Sequence, residues 1–371
     1  MVALSTLDDA ALAGLCDRLR APRWRAAQIR DAVWNPLVGG VDGIRQLPAP
    51  LRAALAGAAR FSTAEVVVQT EADAGRTVKL LCRLDDGQTV ETVAMHSPAV
   101  PGSRRRATVC VSTQVGCAVG CPFCATGALG LRRSCTAAEV VDQVRAAARV
   151  LQQRGLGPVT HVVYMGMGEP LAAYETTVDS LRVLTGAGGI GARRITVSTS
   201  GVVPAIERLA GEGLPVTLAI SLHAGDDALR DRLVPLNRAH PLEQLLAAGE
   251  RYARRTGRRL SLEWCLIGGV NDTAAHAERL RGIAFALRAH VNVIPMNRIE
   301  GSPWGPPDAA TARRFLAALR GVRVTVRDTR GADTDAACGQ LRADLERRRL
   351  LRPDGTLGPQ RATALTAAGP R

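Results

Sequence analysis

The chain has 371 residues, 46% of them hydrophobic, with a mean hydropathy of +0.03, which is enough apolar material for one large α/β domain plus an accessory unit, or for two ordinary domains, and argues against a disordered chain. No apolar run approaches the ~20 residues that span a bilayer, and acids Asp8 and Asp9 stand where an export signal carries basic residues, so the expectation is a cytoplasmic protein with no membrane partner. The formal charge of +14 points to a polyanionic partner, but Lys79 is the only lysine, and an arginine skew can also come from genome composition, so charge alone does not decide for nucleic acid.

From about Leu7 to Arg60 the pattern is helical: Leu12, Leu15 and Leu19, then Trp24, Ile29 and Val33, recur at helical spacing, with Pro48 and Pro50 as punctuation. Short β-type runs follow at Ala64–Gln69, Thr77–Cys82 and Thr89–Met95, the last two separated by an Asp85-Asp86-Gly87 turn. This reads as an α+β accessory unit over residues 1–96, a Pro/Gly/Arg linker over 97–106, a core over 107–346 and a basic tail over 347–371. From Ala107 apolar strands alternate with amphipathic helices. The strands are expected at 108–112, 161–165, 194–198, 216–222, 260–267, 290–295 and 322–327, and helices at 136–151, 175–184, 242–254 and 274–287. Continuous apolar strands with helices between them imply a parallel sheet covered by helices, open or closed into a barrel. In such folds ligands sit at the carboxyl ends of the strands.

Nine cysteines, an odd number at uneven spacing, fit thiols used for metal or catalysis in a reducing compartment better than a disulfide scaffold. Cys117, Cys121 and Cys124 form Cys-x3-Cys-x2-Cys on a Gly/Pro-containing loop. Three thiolates can hold three irons of a four-iron cluster and leave the fourth open to a substrate. The competing reading is zinc, which wants a second ligand pair; Cys110 or Cys135 could complete it.

The run from Cys110 to Gly127 resembles the radical S-adenosylmethionine (SAM) superfamily, and within it the RNA adenine C2-methyltransferases of 23S rRNA and tRNA. The similarity extends from Ile44–Arg52 to Cys338–Arg342. The resemblance implies a partial (β/α)6-type barrel with an N-terminal α+β domain that grips RNA. It implies a [4Fe-4S] cluster on Cys117, Cys121 and Cys124, and SAM bound by Gly168 and Glu169 of Tyr164–Leu171, Ser198, Ser221, Leu222, His223 and Asn297. It also makes Cys338 the thiol that is methylated as an intermediate, Cys110 its resolving partner and Glu91 the proton acceptor. Without the resemblance, His223 would read as a core histidine, Glu91 as the solvated face of a strand, and Cys110 and Cys338 as buried structural thiols. The chemistry agrees: adenine C2 is not nucleophilic, so polar methyl transfer from SAM cannot serve. The expected partners are 23S rRNA, tRNA and a flavodoxin-type electron donor, and the expected state is a monomer.

The family's Pro after the strand-end Asn is replaced here by Arg298, which makes the Ile299–Trp304 loop and its substrate contacts unusual, and Met296 is a second departure. Three rivals stay open: a C8-adenine methyltransferase that confers antibiotic resistance, a glycyl-radical activase acting on protein, and a zinc-stabilised RNA-binding module.

Overall fold

The computed structural model describes residues 1–99, 104–299, 302–327 and 340–341. Cys338 and the basic tail lie outside the described residues.

The N-terminal helical stretch is three helices with their own core. A two-residue strand β1 (Val2–Ala3) pairs in parallel with β2 (Ala59–Arg60), and between them run α1 (Asp9–Arg18), α2 (Arg25–Trp34) and α3 (Ala49–Ala58). Asp8 caps α1 by accepting the Ala11 N–H at 2.8 Å, which satisfies one of the orphan amides of the first turn. Leu12, Leu15, Ile29, Val33, Ile44 and Leu55 bury together beneath them.

The other described residues are organised around one ten-stranded sheet. Strands β3 (Ala64–Ala72), β4 (Thr77–Leu84), β5 (Thr89–Ser97) and β6 (Arg106–Cys110) are antiparallel neighbours. Ser97 pairs with Arg106, so the ends of the expected linker are themselves in register. A short hairpin, β7 (Gln114–Gly116) and β8 (Leu131–Ser134), brackets the one-turn helix α4 (Ala125–Ala128). Then helices and parallel strands alternate: α5 (Ala137–Gln153), β9 (His161–Tyr164), α6 (Tyr174–Thr185), β10 (Ile195–Thr199), α7 (Val203–Ala210), β11 (Thr217–Ser221), α8 (Asp227–Leu233), α9 (Leu242–Thr256), β12 (Ser261–Leu266), α10 (Ala274–Ala286), β13 (His290–Pro295), α11 (Ala309–Ala318) and β14 (Arg323–Val326). The order β14-β13-β12-β11-β10-β9-β6-β5-β4-β3 leaves the sheet open, with β3 and β14 at its edges. The expected α/β class and partial barrel hold, and every expected core strand is present within about two residues.

The parallel strands alternate by face. On the helix-covered side Val162, Val197, Leu218, Leu262, Trp264 and Val291 are fully buried. On the other side Ser198, Ser221, Cys265, Asn292 and Ile294 remain half-buried, so the inner wall of the curved sheet is the face available to a ligand.

Helix α5 joins the two cores. It starts with a capping box in which Thr136 accepts from Glu139 N–H and Glu139 accepts from Thr136 N–H. Inside it, Gln143 accepts from Ser112 N–H at 2.8 Å and Thr92 Oγ1 at 2.6 Å, and donates to Ser112 O at 2.9 Å, closing the end of β6. Asp142 pairs with Arg145, accepts from Thr63 N–H at 2.7 Å and Thr63 Oγ1 at 2.8 Å, while Arg145 donates to Val33 O at 2.9 Å and Phe61 O at 2.7 Å. That network clamps the helical unit to the sheet. Among the described residues no helix is long and apolar enough to cross a membrane.

Candidate active site

The carboxyl ends of β9 to β14 open into a cavity of about 160 Å³. Seven of the residues that the resemblance implied line it together: Cys124, Gly168, Glu169, Ser198, Ser221, His223 and Asn297. Leu222 does not; its side chain is fully buried and its N–H donates to Glu263 O at 3.0 Å.

The cysteine loop is shaped by its glycines. Gly116 has φ +81°, and a Cβ there would fall 1.8 Å from Gly130 O, so only glycine lets the hairpin close. Cys117 N–H donates to Gly130 O at 3.0 Å and Cys124 N–H to Cys121 O at 3.1 Å. Burial pushes the Cys117 thiol up to about 11, and the neighbouring charges of Cys124 and Glu169 add to it. Cys121 is raised well above its usual value by burial, then by Cys124, Cys117 and Glu169. Thiols this costly to ionise together need positive charge to become ligands, and several irons supply it. No three His, Cys, Asp or Glu side chains among the described residues converge on a single ion position. A cluster takes its thiolates at separate corners and needs no such convergence, so this donor set fits a four-iron group.

Glu169 is buried in the turn after β9. Its carboxylate accepts from Leu171 N–H at 3.0 Å and Ser200 N–H at 2.6 Å, and its own N–H donates to Gln114 Oε1 at 2.9 Å. Burial raises its pKa, opposed by those donors. Gly168 has φ +100°, and a Cβ there would lie 2.6 Å from Gln114 Cβ. The turn therefore runs tight against Gln114 just ahead of the cysteine loop. Ser198 and Ser221 hydroxyls are 3.4 Å apart. His223 takes φ +60°, uncommon for a residue with a side chain. Its Nδ1 accepts from Cys265 N–H at 2.9 Å and its ring meets Phe123 edge-on at 4.9 Å. Burial, then Arg230, lowers its pKa to about 3, so it is a neutral imidazole.

Glu91 and Cys110 stand outside the cavity lining, on β5 and β6. Glu91 is fully buried 3.7 Å from Lys79 Nζ, not on a solvated strand face. Cys110 is in register with Val93 on one side and with Val163 of β9 on the other. Near the altered loop, Gln340 Nε2 donates to Arg298 O at 2.9 Å. Met296 is buried beside Ile267 and Leu233.

Two residues of this region had no role in the sequence reading. Arg230 is fully buried and donates to Ser200 O, Ser221 O and Leu222 O at 2.7, 3.0 and 3.1 Å, tying the ends of β10 and β11 to α8. Glu263 lines the cavity from the middle of β12. For Glu263 the available signal was a lone charge in a short apolar strand; Arg230, one of four charged residues in α8, offered none.

Residues 111–280 match the family model of the Radical SAM superfamily. A solved structure described as a radical SAM methyltransferase from Sphaerobacter thermophilus superposes with a TM-score of 0.88 at 48% identity, covering 92% of this chain and all of that one. A relative from Frankia alni named "Probable dual-specificity RNA methyltransferase RlmN" is 47% identical over 338 residues, 88% of this chain and 79% of its own. A similarly named relative from Opitutus terrae is 44% identical over 357 residues, covering 92% and 95%.

Proposed function

The chain belongs to the RlmN-type dual-specificity RNA methyltransferases of the radical SAM superfamily, and from that premise we propose that it methylates C2 of an adenine in 23S rRNA and in tRNA. The observation that carries the reading is the single strand-end cavity in which Cys124, Gly168, Glu169, Ser198, Ser221, His223 and Asn297 meet.

Cys117, Cys121 and Cys124 would hold a [4Fe-4S] cluster, which, reduced by a flavodoxin-type donor, would supply the electron for reductive cleavage of SAM. Glu169 offers a buried carboxylate with only neutral hydrogen-bond partners, suited to the ammonium of SAM. Ser198, Ser221 and Asn297 offer polar contacts around it, and the neutral His223 adds none of its own charge. Cys338, as a thiolate, takes a methyl group from one SAM by displacement. A hydrogen atom passed from that methyl to the 5′-deoxyadenosyl radical of a second, reductively cleaved SAM would leave a carbon radical that adds to the adenine ring. Glu91 accepts the ring proton, its charge held beside Lys79. Cys110, as a thiolate, would then attack the Cys338 sulfur and break its bond to the methylene carbon, which takes a proton to become the methyl group of the base; the one surplus electron would return to the cluster, and external thiols would reduce the disulfide left between Cys110 and Cys338. The base must enter unstacked or from a single strand.

The test is anaerobic turnover of the reconstituted chain with SAM, a reductant and 23S rRNA or tRNA, with nucleosides read by mass spectrometry. The expected product is 2-methyladenosine. An 8-methyladenosine product moves the chain to the resistance-type chemistry, and SAM cleavage without RNA methylation removes the substrate assignment.

A further inference from the structure

Two carboxylates line the cavity, and the reaction above uses only Glu169. The other, Glu263, stands between the fully buried Leu262 and Trp264 and is itself only 4% exposed. Burying a carboxylate is costly unless hydrogen bonds replace its lost hydration. Ser261 Oγ donates to one oxygen at 2.7 Å and Asn292 Nδ2 to the other at 2.6 Å. Both donors are neutral, and they occupy two of the roughly four acceptor positions that a carboxylate offers. Glu263 lines the cavity, so this remaining acceptor capacity is within reach of a ligand there.

The strand register explains what stands beside it. Ser221 pairs with Glu263 and Glu263 with Asn292, so the three share the inner face at one level of the sheet. Ser198 joins the row through its hydroxyl, 3.4 Å from that of Ser221. The row runs hydroxyl, hydroxyl, carboxylate, amide. Such a floor accepts a ligand that brings hydroxyl donors and repels one that brings an anion. The two carboxylates also differ in position: Glu169 donates its N–H to Gln114 Oε1 at 2.9 Å, three residues ahead of Cys117, which puts the ammonium end of an amino-acid nucleoside at Glu169 and leaves its sugar for Glu263.

We propose that Glu263 accepts hydrogen bonds from the 2′- and 3′-hydroxyls of the ribose of bound SAM, with Ser261 and Asn292 holding the carboxylate in place. This rests on the reading of the cavity as the SAM site.

The experiment is equilibrium binding of S-adenosylhomocysteine and its 2′-deoxy and 3′-deoxy analogues to the anaerobically reconstituted full chain, in wild type, Glu263→Gln and Glu263→Asp, each checked for native circular dichroism. Wild type is expected to prefer the ribose form by about 10- to 100-fold, the scale of a hydrogen bond to a charged group. Glu263→Gln is expected to lose that factor for S-adenosylhomocysteine, to keep its affinity for the deoxy analogues, and so to show a preference below about threefold. Glu263→Asp keeps the charge and is expected to keep part of the preference. A wild type without ribose preference overturns the proposal, and so does a Gln variant that retains it or weakens all three ligands equally. A wild type that binds none of the three overturns the SAM reading of the cavity itself, a distinct failure.

Discussion

The α5 clamp and the strand-end cavity both bury acidic side chains, but they treat the charge differently. Asp142 is paired with Arg145, and the remaining capacity of both goes to Thr63, Val33 O and Phe61 O. Glu169 and Glu263 are equally buried, yet their hydrogen bonds come from backbone amides, a serine and an asparagine. A charge placed for stability is closed within the protein. The two cavity carboxylates are instead desolvated and held by neutral donors.

The largest effect is expected at the clamp. Asp142→Ala leaves Arg145 buried without its partner and should cost about 3–5 kcal/mol of unfolding free energy, measured by urea denaturation, while the molecules that fold bind S-adenosylhomocysteine with unchanged affinity. A cost under about 1 kcal/mol would mean that the clamp is not a closed charge pair.

Glu169→Gln is expected to do the reverse. Binding of S-adenosylhomocysteine should weaken by about 10- to 100-fold, as an ammonium loses its charged acceptor, while stability is equal or higher. The sign follows from burial, which raises the folded-state pKa of Glu169 above 4.5. Such a group contributes stability that is fully present below its unfolded pKa and is lost as pH rises through the folded one. Wild-type apoprotein should therefore lose stability relative to Glu169→Gln as pH climbs above 4.5. Parallel stability curves for the two proteins would remove the idea of an unmatched charge.

The sequence shows the parallel strands because their helix-covered faces are continuous Val, Ile and Leu, and it shows the cysteine loop because ligand spacing is local. It hides what depends on pairing between distant segments. Glu91 looks like a solvated strand residue until β4 brings Lys79 across to it. Glu263 looks like an isolated charge, and Arg230 like one of several charges on α8, until their partners arrive from β13, β10 and β11. The accessory strands look separate from the core, yet Ser97 and Arg106 join them in one sheet. Membership of the cavity, in turn, could be named from the family motifs, but the row of Ser221, Glu263 and Asn292 follows only from register.

The most direct test sets the two regions against each other in one assay: anaerobic formation of 5′-deoxyadenosine from SAM by reconstituted wild type, Asp142→Ala and Glu169→Gln, each normalised to folded, cluster-loaded protein. The account predicts cleavage at the wild-type rate in Asp142→Ala and at least a tenfold loss of kcat/KM in Glu169→Gln, about 1.4 kcal/mol or more. Wild-type cleavage by Glu169→Gln would contradict the assignment of the strand-end cavity as the SAM site.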